Sequence, residues 1–339
     1  MKGAFLTERG ILKVMEMPSP SLKRGGLLIA MKMAAICRTD LKMVQAGHKD
    51  LVLPRILGHE GVGEIVESDD PMLKEGETVV IYPGCYCGEC PACRSGHTAR
   101  CEKIRIFGFN EDGFFRTFVP FSKEEVGCMV RLPSQSYPET IVLTEPLACC
   151  ISAIRKFRFA RKKNALIVGA GAIGSIFAAL LVSQGWEHVI VADKENKRLL
   201  KELPEGVETL HVSTDKLLSA FKKNGRGQTI DFIAPCCPGG LNWPFWEVMR
   251  PGGSVSFFSG GMEGGPVSMD MNTVHYRELA FVGSYGCNKE DFVTASMMLT
   301  DGRIDLSFFD FYRLGIDRIS YGMECLEQKK IKKVMINRF

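Results

Sequence analysis

Residues 165–186 read "ALIVGAGAIGSIFAALLVSQGW", twenty-two residues without a charge. That length suits a membrane span. However, Gly169, Gly171 and Gly174 crowd its first half, directly after a short apolar run. This punctuation predicts strand, turn and buried helix rather than a span. The glycines stand in G-x-G-x-x-G spacing, which in that context marks a dinucleotide-binding turn. The first permits the tight turn, the second lets a pyrophosphate approach the backbone, and the third lets helix and strand pack closely. Ala172 and Ile173 open the helix, whose N-terminus stabilises phosphate charge.

The next strand-like run ends "VIVAD", placing Asp193 nineteen residues past Gly174. A carboxylate there accepts hydrogen bonds from ribose hydroxyls and repels a 2′-phosphate, which favours NAD. Lys194, Lys197 and Arg198 follow and weaken the exclusion, so NADP stays possible. Further on, "TIDFIAP", "SVSFFSG" and "LAFVGSY" alternate with helical segments. Strand–helix alternation predicts βαβ units and a parallel sheet. "RPGGSVSFFSGGMEGGP" reads as glycine-rich loops around a strand. The first 150 residues differ, with short β-type runs such as "LLIAMKM", "GVGEIVE" and "ETVVIYP" broken by Gly and Pro. They predict an irregular, mostly β domain. The class is therefore α/β in two domains, as 339 residues also favour.

Composition excludes other classes. A net charge of +4 gives no basic stripe for nucleic acid, and the run "RKFRFARKKN" at 155–164 reads as a solvated helix end. "MKGAFLTERG" offers only four residues between Lys2 and Thr7, too few for a signal-peptide core. An odd count of thirteen cysteines then points to a reducing, cytoplasmic setting.

Five of those cysteines lie in "CYCGECPACRSGHTARC", residues 85–101. Cys87, Cys90, Cys93 and Cys101 follow a C-x2-C-x2-C-x7-C spacing. Four thiolates close a tetrahedral shell around Zn²⁺, and a closed shell is structural, since no position is open to substrate. An iron–sulfur cluster is the rival reading. Cys85 is the surplus thiol, with no assigned role. Elsewhere "AAICRTD" presents Cys37, "LGHEGVG" presents His59 and Glu60, and "LTEPLACC" presents Glu145. One thiol, one imidazole and one or two carboxylates suit a second zinc with an open position.

These motifs in this order resemble the zinc-dependent medium-chain dehydrogenases, the group of alcohol, sorbitol and threonine dehydrogenases. "CRTD", "GHEGVGEIVE", the cysteine run, "EPLACC", "GAGAIG" and "HYRELAFVGSYG" carry the resemblance over essentially the whole chain. It implies a GroES-like catalytic domain over 1–150, with a structural zinc lobe at about 85–103. A Rossmann domain over 151–286 and a return segment over 287–339 complete it. It further implies two zincs per chain, a homo-oligomer (dimer or tetramer), and a small alcohol or ketone substrate. Cys37 and His59 ligate the catalytic zinc, and Glu60, Glu145 or both supply the carboxylate. In such enzymes zinc acts as a Lewis acid on the substrate oxygen while hydride passes to the nicotinamide. By resemblance Thr39 begins the proton relay and Asp40 orients His59.

Two positions depart from the family pattern. Arg38 replaces the usual glycine, and either lies near the cofactor pyrophosphate or points to solvent. Lys42 replaces a relaying histidine. An ammonium is a poor relay unless its pKa is depressed, so the relay is Lys42, His48 from the following loop, or the cofactor ribose with water. "MNTVHYRELAFVGSYG" resembles the polyol and cyclitol branch, so the expected substrate is a polyhydroxylated secondary alcohol, a cyclitol, or an amino-cyclitol or sugar derivative. Tyr276 and Arg277 contact substrate or cofactor, or serve the domain interface. Two alternatives remain: a carbonyl reductase running in reverse, and a non-catalytic redox-sensing or binding relative.

Overall fold

The computed structural model describes the chain except residues 134–136, 196, 198–199, 214–215, 224–228, 238–243 and 260–267. Two units emerge. The first comprises Met1–Ala148, Asn288–Gly302 and Asp310–Phe339; the second comprises Cys149–Cys287 and Arg303–Phe309.

The first unit is built on the strand Leu27–Ile36, whose "LLIAMKMAAI" is largely apolar. Such a run is stable only where both of its faces are covered. It pairs antiparallel with Glu60–Ser68, with Phe118–Phe121 and with the C-terminal strand Lys333–Arg338. Thr78–Ile81 and Met129–Arg131 extend one edge, and Phe311–Gly315 extends the other. Phe114, Phe115 and Phe121 are fully buried in its core. Each such ring contributes about 1.5–3 kcal/mol on burial. Register carries a consequence for chemistry: Ala35 pairs with Glu60 on one side and with Met335 on the other. The end of the chain is thereby brought beside a candidate metal ligand.

Among the described residues the second unit contains six strands, all parallel, in the order Glu208–His211, His188–Asp193, Asn164–Val168, Ile230–Pro235, Met249–Phe257 and Ala280–Gly283. Numbered within the unit this is 3-2-1-4-5-6, the doubly wound order of dinucleotide-binding sheets. The stretch 165–186 resolves into the strand Asn164–Val168, a turn, and the helix Ala172–Ser183. Among the described residues no helix is long and apolar enough to cross a membrane. The glycine-rich tract expected after Phe257 falls at 260–267, outside the described residues, as does Arg198.

Candidate functional site

The strand Leu27–Ile36 ends at Ile36, and Cys37 caps the helix Arg38–Ala46 that follows. Asp40, in the first turn, closes a capping box with Cys37, its Oδ2 accepting the Cys37 backbone N–H at 2.8 Å. The Asp40 carboxylate is fully buried, and its Oδ1 also accepts the Gly58 N–H at 3.3 Å. Gly58 has φ +98°, and a Cβ there would lie 2.6 Å from the Phe115 ring. Only glycine lets the chain turn here and deliver His59 and Glu60 into the same place.

His59 Nδ1 lies 3.3 Å from Asp40 Oδ1, close enough for charge pairing but not aligned as a hydrogen bond. Burial alone would lower the imidazole pKa; the Asp40 carboxylate overrides it and holds the ring well above its usual value. Ligation requires the neutral ring. With Nδ1 turned toward Asp40, the other ring nitrogen is the one left for a metal.

Glu60 is fully buried. Its Oε1 accepts from Lys333 Nζ at 2.6 Å, while Oε2 has no hydrogen-bond partner. Burial pushes the Glu60 carboxyl up to about 7, Lys333 opposes that shift, and the nearby Glu145 adds to it. Lys333 was not evident as a site residue in the sequence. Only the strand register, joining residues 273 apart, reveals it.

Ligand atoms of Cys37, His59 and Glu60 all lie within 4.8 Å of one another. Sulfur, nitrogen and carboxylate oxygen, with one buried oxygen unsatisfied, are a donor set that fits a three-ligand zinc with an open position. Glu145 opens the helix Thr144–Ile154, and among the described residues it is not part of that cluster, although its charge reaches Glu60. Thr39 is half-buried, two residues past Cys37.

His48 lies in the loop after the helix Arg38–Ala46, its ring 5.2 Å from that of Phe109, edge-on. The Phe109 ring is in turn 5.3 Å from that of His59. Partial burial lowers the His48 pKa, with Lys42 and His59 contributing and Asp50 opposing. Lys42 is exposed. Arg38 donates to the Leu326 carbonyl at 3.0 Å, within the first unit.

Cys87, Cys90, Cys93 and Cys101 converge, their sulfurs all within 4.8 Å of one another. The Cys87–Cys101 and Cys87–Cys93 separations are 3.5 and 4.0 Å. A tetrahedral Zn–S₄ shell has S–S edges of about 3.8 Å, from Zn–S bonds near 2.3 Å. Backbone N–H groups of Cys93 and Glu102 aimed at Cys90 draw its thiol down to about 6, favouring the thiolate. The Asn288 side chain, capping the helix Lys289–Thr300, accepts from Ala99 N–H at 3.0 Å and so ties the lobe to the return segment.

In the second unit, Gly169 adopts φ +108° and donates its N–H to Ala192. A Cβ on Gly174 would meet the Gly169 carbonyl at 1.8 Å, whereas one on Gly171 would meet nothing within 4 Å. Gly174 is thus required for packing, and Gly171 leaves the helix mouth open ahead of Ala172 and Ile173. Asp193 Oδ2 accepts the Ala170 N–H at 2.6 Å, and Oδ1 accepts the Glu195 N–H at 2.8 Å. The carboxylate is pinned beneath the turn. The Lys194 backbone carbonyl accepts from His211 Nε2 at 2.8 Å. Arg277 donates to the carbonyls of Trp246 and Met249, and Tyr276 is exposed.

A two-unit chain with this parallel sheet and this pair of thiol-bearing clusters has the design of a metal-dependent nucleotide-linked oxidoreductase. Residues 23–134 match the family model described as the alcohol dehydrogenase GroES-like domain. The chain is 30% identical over 314 residues to D-altritol 5-dehydrogenase of Agrobacterium fabrum, covering 90% of each. It is 29% identical over 336 residues to L-galactonate-5-dehydrogenase of Escherichia coli, covering 96% of this chain and 95% of the relative. Among solved structures, a zinc-binding dehydrogenase of Sinorhizobium meliloti bound to NADP aligns with a TM-score of 0.88 at 22% identity, over 99% of this chain and 98% of that one. L-idonate 5-dehydrogenase of Escherichia coli aligns at 0.84 and 23%, over 99% and 97%. The chain belongs to the zinc-dependent medium-chain dehydrogenase family.

Proposed function

We propose that this protein is a zinc- and NAD(P)-dependent dehydrogenase of a polyol or sugar acid, oxidising a secondary hydroxyl to a ketone. The observation that carries the reading is the Cys37–His59–Glu60 cluster, half-buried at Cys37 and buried at the other two, with its unsatisfied Glu60 oxygen. Cys37, His59 and Glu60 hold the catalytic zinc, with Glu145 as the second carboxylate at hand. Cys87, Cys90, Cys93 and Cys101 hold the structural one. When bound, zinc would supply a Lewis acid for the substrate oxygen and NAD(P) a hydride acceptor.

This chain's residues do the rest. Asp40 pairs by charge with His59 Nδ1 while also holding the Cys37 and Gly58 backbones, so one carboxylate sets the positions of two ligands. Thr39 takes the substrate proton first. His48 then accepts it: its lowered pKa keeps the ring neutral near pH 7, and contact with Phe109 places it near His59. The exposed ammonium of Lys42 is the poorer relay. In the second unit Gly169, Gly171 and Gly174, with Ala172 and Ile173, receive the pyrophosphate. The lone pairs that Asp193 keeps beyond Ala170 and Glu195 accept from the ribose, favouring NAD; Lys194 leaves room for NADP.

The names of the altritol, galactonate and idonate dehydrogenases support a polyhydroxylated substrate. A cytoplasmic homo-oligomer is part of the same reading. The strand Ala280–Gly283 ends the six-stranded sheet as an edge, partly exposed. A monomer in sedimentation velocity would remove that part. Metal analysis tests the whole: wild type should hold two zincs per chain, while Cys37→Ala should hold one and turn over no substrate. One zinc in wild type, or turnover in the variant, overturns the assignment.

A further inference from the structure

Cys85 stands outside the four-sulfur cluster of the metal lobe, and its sulfur lies 3.0 Å from that of Cys128. Both thiols are buried, at 6% and 4% exposure. Two independent constraints hold them together. Cys85 is in the short strand Gly84–Cys85, paired antiparallel with Arg105–Ile106, where Cys85 faces Arg105. Cys128 ends the 3₁₀ turn Lys123–Cys128, and its carbonyl accepts the Tyr82 N–H at 2.9 Å. Arg105 then bridges the two segments, donating to Glu125 at 2.7 Å from the residue opposite Cys85. The sulfurs need to approach by only about 1 Å to reach a disulfide bond of roughly 2.05 Å.

We propose that Cys85 and Cys128 form a dithiol that closes to a disulfide when exposed to a peroxide, stapling the root of the metal lobe to the sheet behind it. The chemistry balances. One thiol takes an oxygen from hydrogen peroxide, giving a sulfenic acid and one water. The second thiol attacks that sulfur, the S–S bond forms, and the hydroxyl leaves as a second water. Two sulfurs lose two electrons and peroxide gains them. A small oxidant is required, because the pair has little exposed surface. The lobe cysteines, two residues away at the nearest, would be held by zinc in the loaded protein, which leaves Cys85 and Cys128 as the free pair. Closure joins residues 43 apart, so the loop entropy of the unfolded chain falls. The lobe root then stays fixed even after its metal is lost.

The test treats the zinc-loaded protein with hydrogen peroxide and maps its non-reduced tryptic peptides. Wild type should yield residues 75–94 joined to residues 124–131, with both zincs retained. The link should be missing in Cys85→Ala and in Cys128→Ala. After chelation, oxidised wild type should melt several degrees above the reduced protein. Absence of the link in wild type, its persistence in Cys85→Ala, or its appearance only after zinc has left the lobe would overturn the proposal. Equal melting temperatures of the chelated forms would overturn the stapling role.

Discussion

Lys333 Nζ and Glu60 Oε1 form a buried ion pair 2.6 Å long, linking the C-terminal strand to a candidate metal ligand. Burial alone would lower the Lys333 pKa, but Glu60 outweighs it and keeps the ammonium charged. Removing one partner strands a buried charge, at a cost of about 3–5 kcal/mol. Lys333→Met should therefore lower stability by about that amount in denaturant unfolding. The double variant Lys333→Met/Glu60→Gln should recover part of the loss. A single variant as stable as wild type would show that breaking the pair costs the fold nothing.

Asp40 touches no substrate in this account; it positions His59 and Cys37. Asp40→Asn should weaken the catalytic zinc by about 10–100-fold in a competitive chelator titration. The cysteine lobe should keep its zinc at the same chelator strength. Equal loss from both sites would instead indicate general unfolding.

The glycine turn separates packing from binding. Gly171→Ala should leave the melting temperature near wild type and reduce NAD affinity, because its Cβ enters only the space before the helix mouth. Gly174→Ala should destabilise the second unit, since its Cβ would collide with the Gly169 carbonyl. Titration with NAD beside thermal melts distinguishes the two. Unchanged NAD affinity in Gly171→Ala would contradict the pyrophosphate placement.

The relay has a pH signature. His48 must be neutral to accept a proton, and its pKa lies below the ordinary 6.5. Turnover should fall as pH drops through that lowered value, because the protonated ring cannot accept. His48→Asn should lose about 10²–10⁴-fold in kcat and lose this acid limb. Lys42→Met should keep both. The reverse pattern would assign the relay to Lys42.

What the sequence made legible was local. The glycine turn and the cysteine lobe are encoded within a few residues each, because strand-to-helix reversal and metal closure demand fixed short spacings. Asp193 was singled out by its place at the end of the strand that follows the glycine turn and its helix. Its engagement with the Ala170 and Glu195 backbones was not legible, since it depends on how the turn sits over the strand. Lys333 reads as an ordinary lysine of a terminal strand until the register sets it beside Glu60. Cys85 had no visible role because Cys128 lies 43 residues away. His48 and Lys42 could not be ranked from spacing, because the proposed ranking rests on burial, and burial is a property of the folded loop.

The most direct test of the central claim is the rate of NADH or NADPH formation by the two-zinc protein across a panel of polyols, cyclitols and sugar acids, including D-altritol and L-galactonate. The account predicts turnover confined to compounds with an oxidisable secondary hydroxyl and greater with NAD than with NADP. No cofactor reduction with any member of the panel, while both zincs are bound, would contradict it.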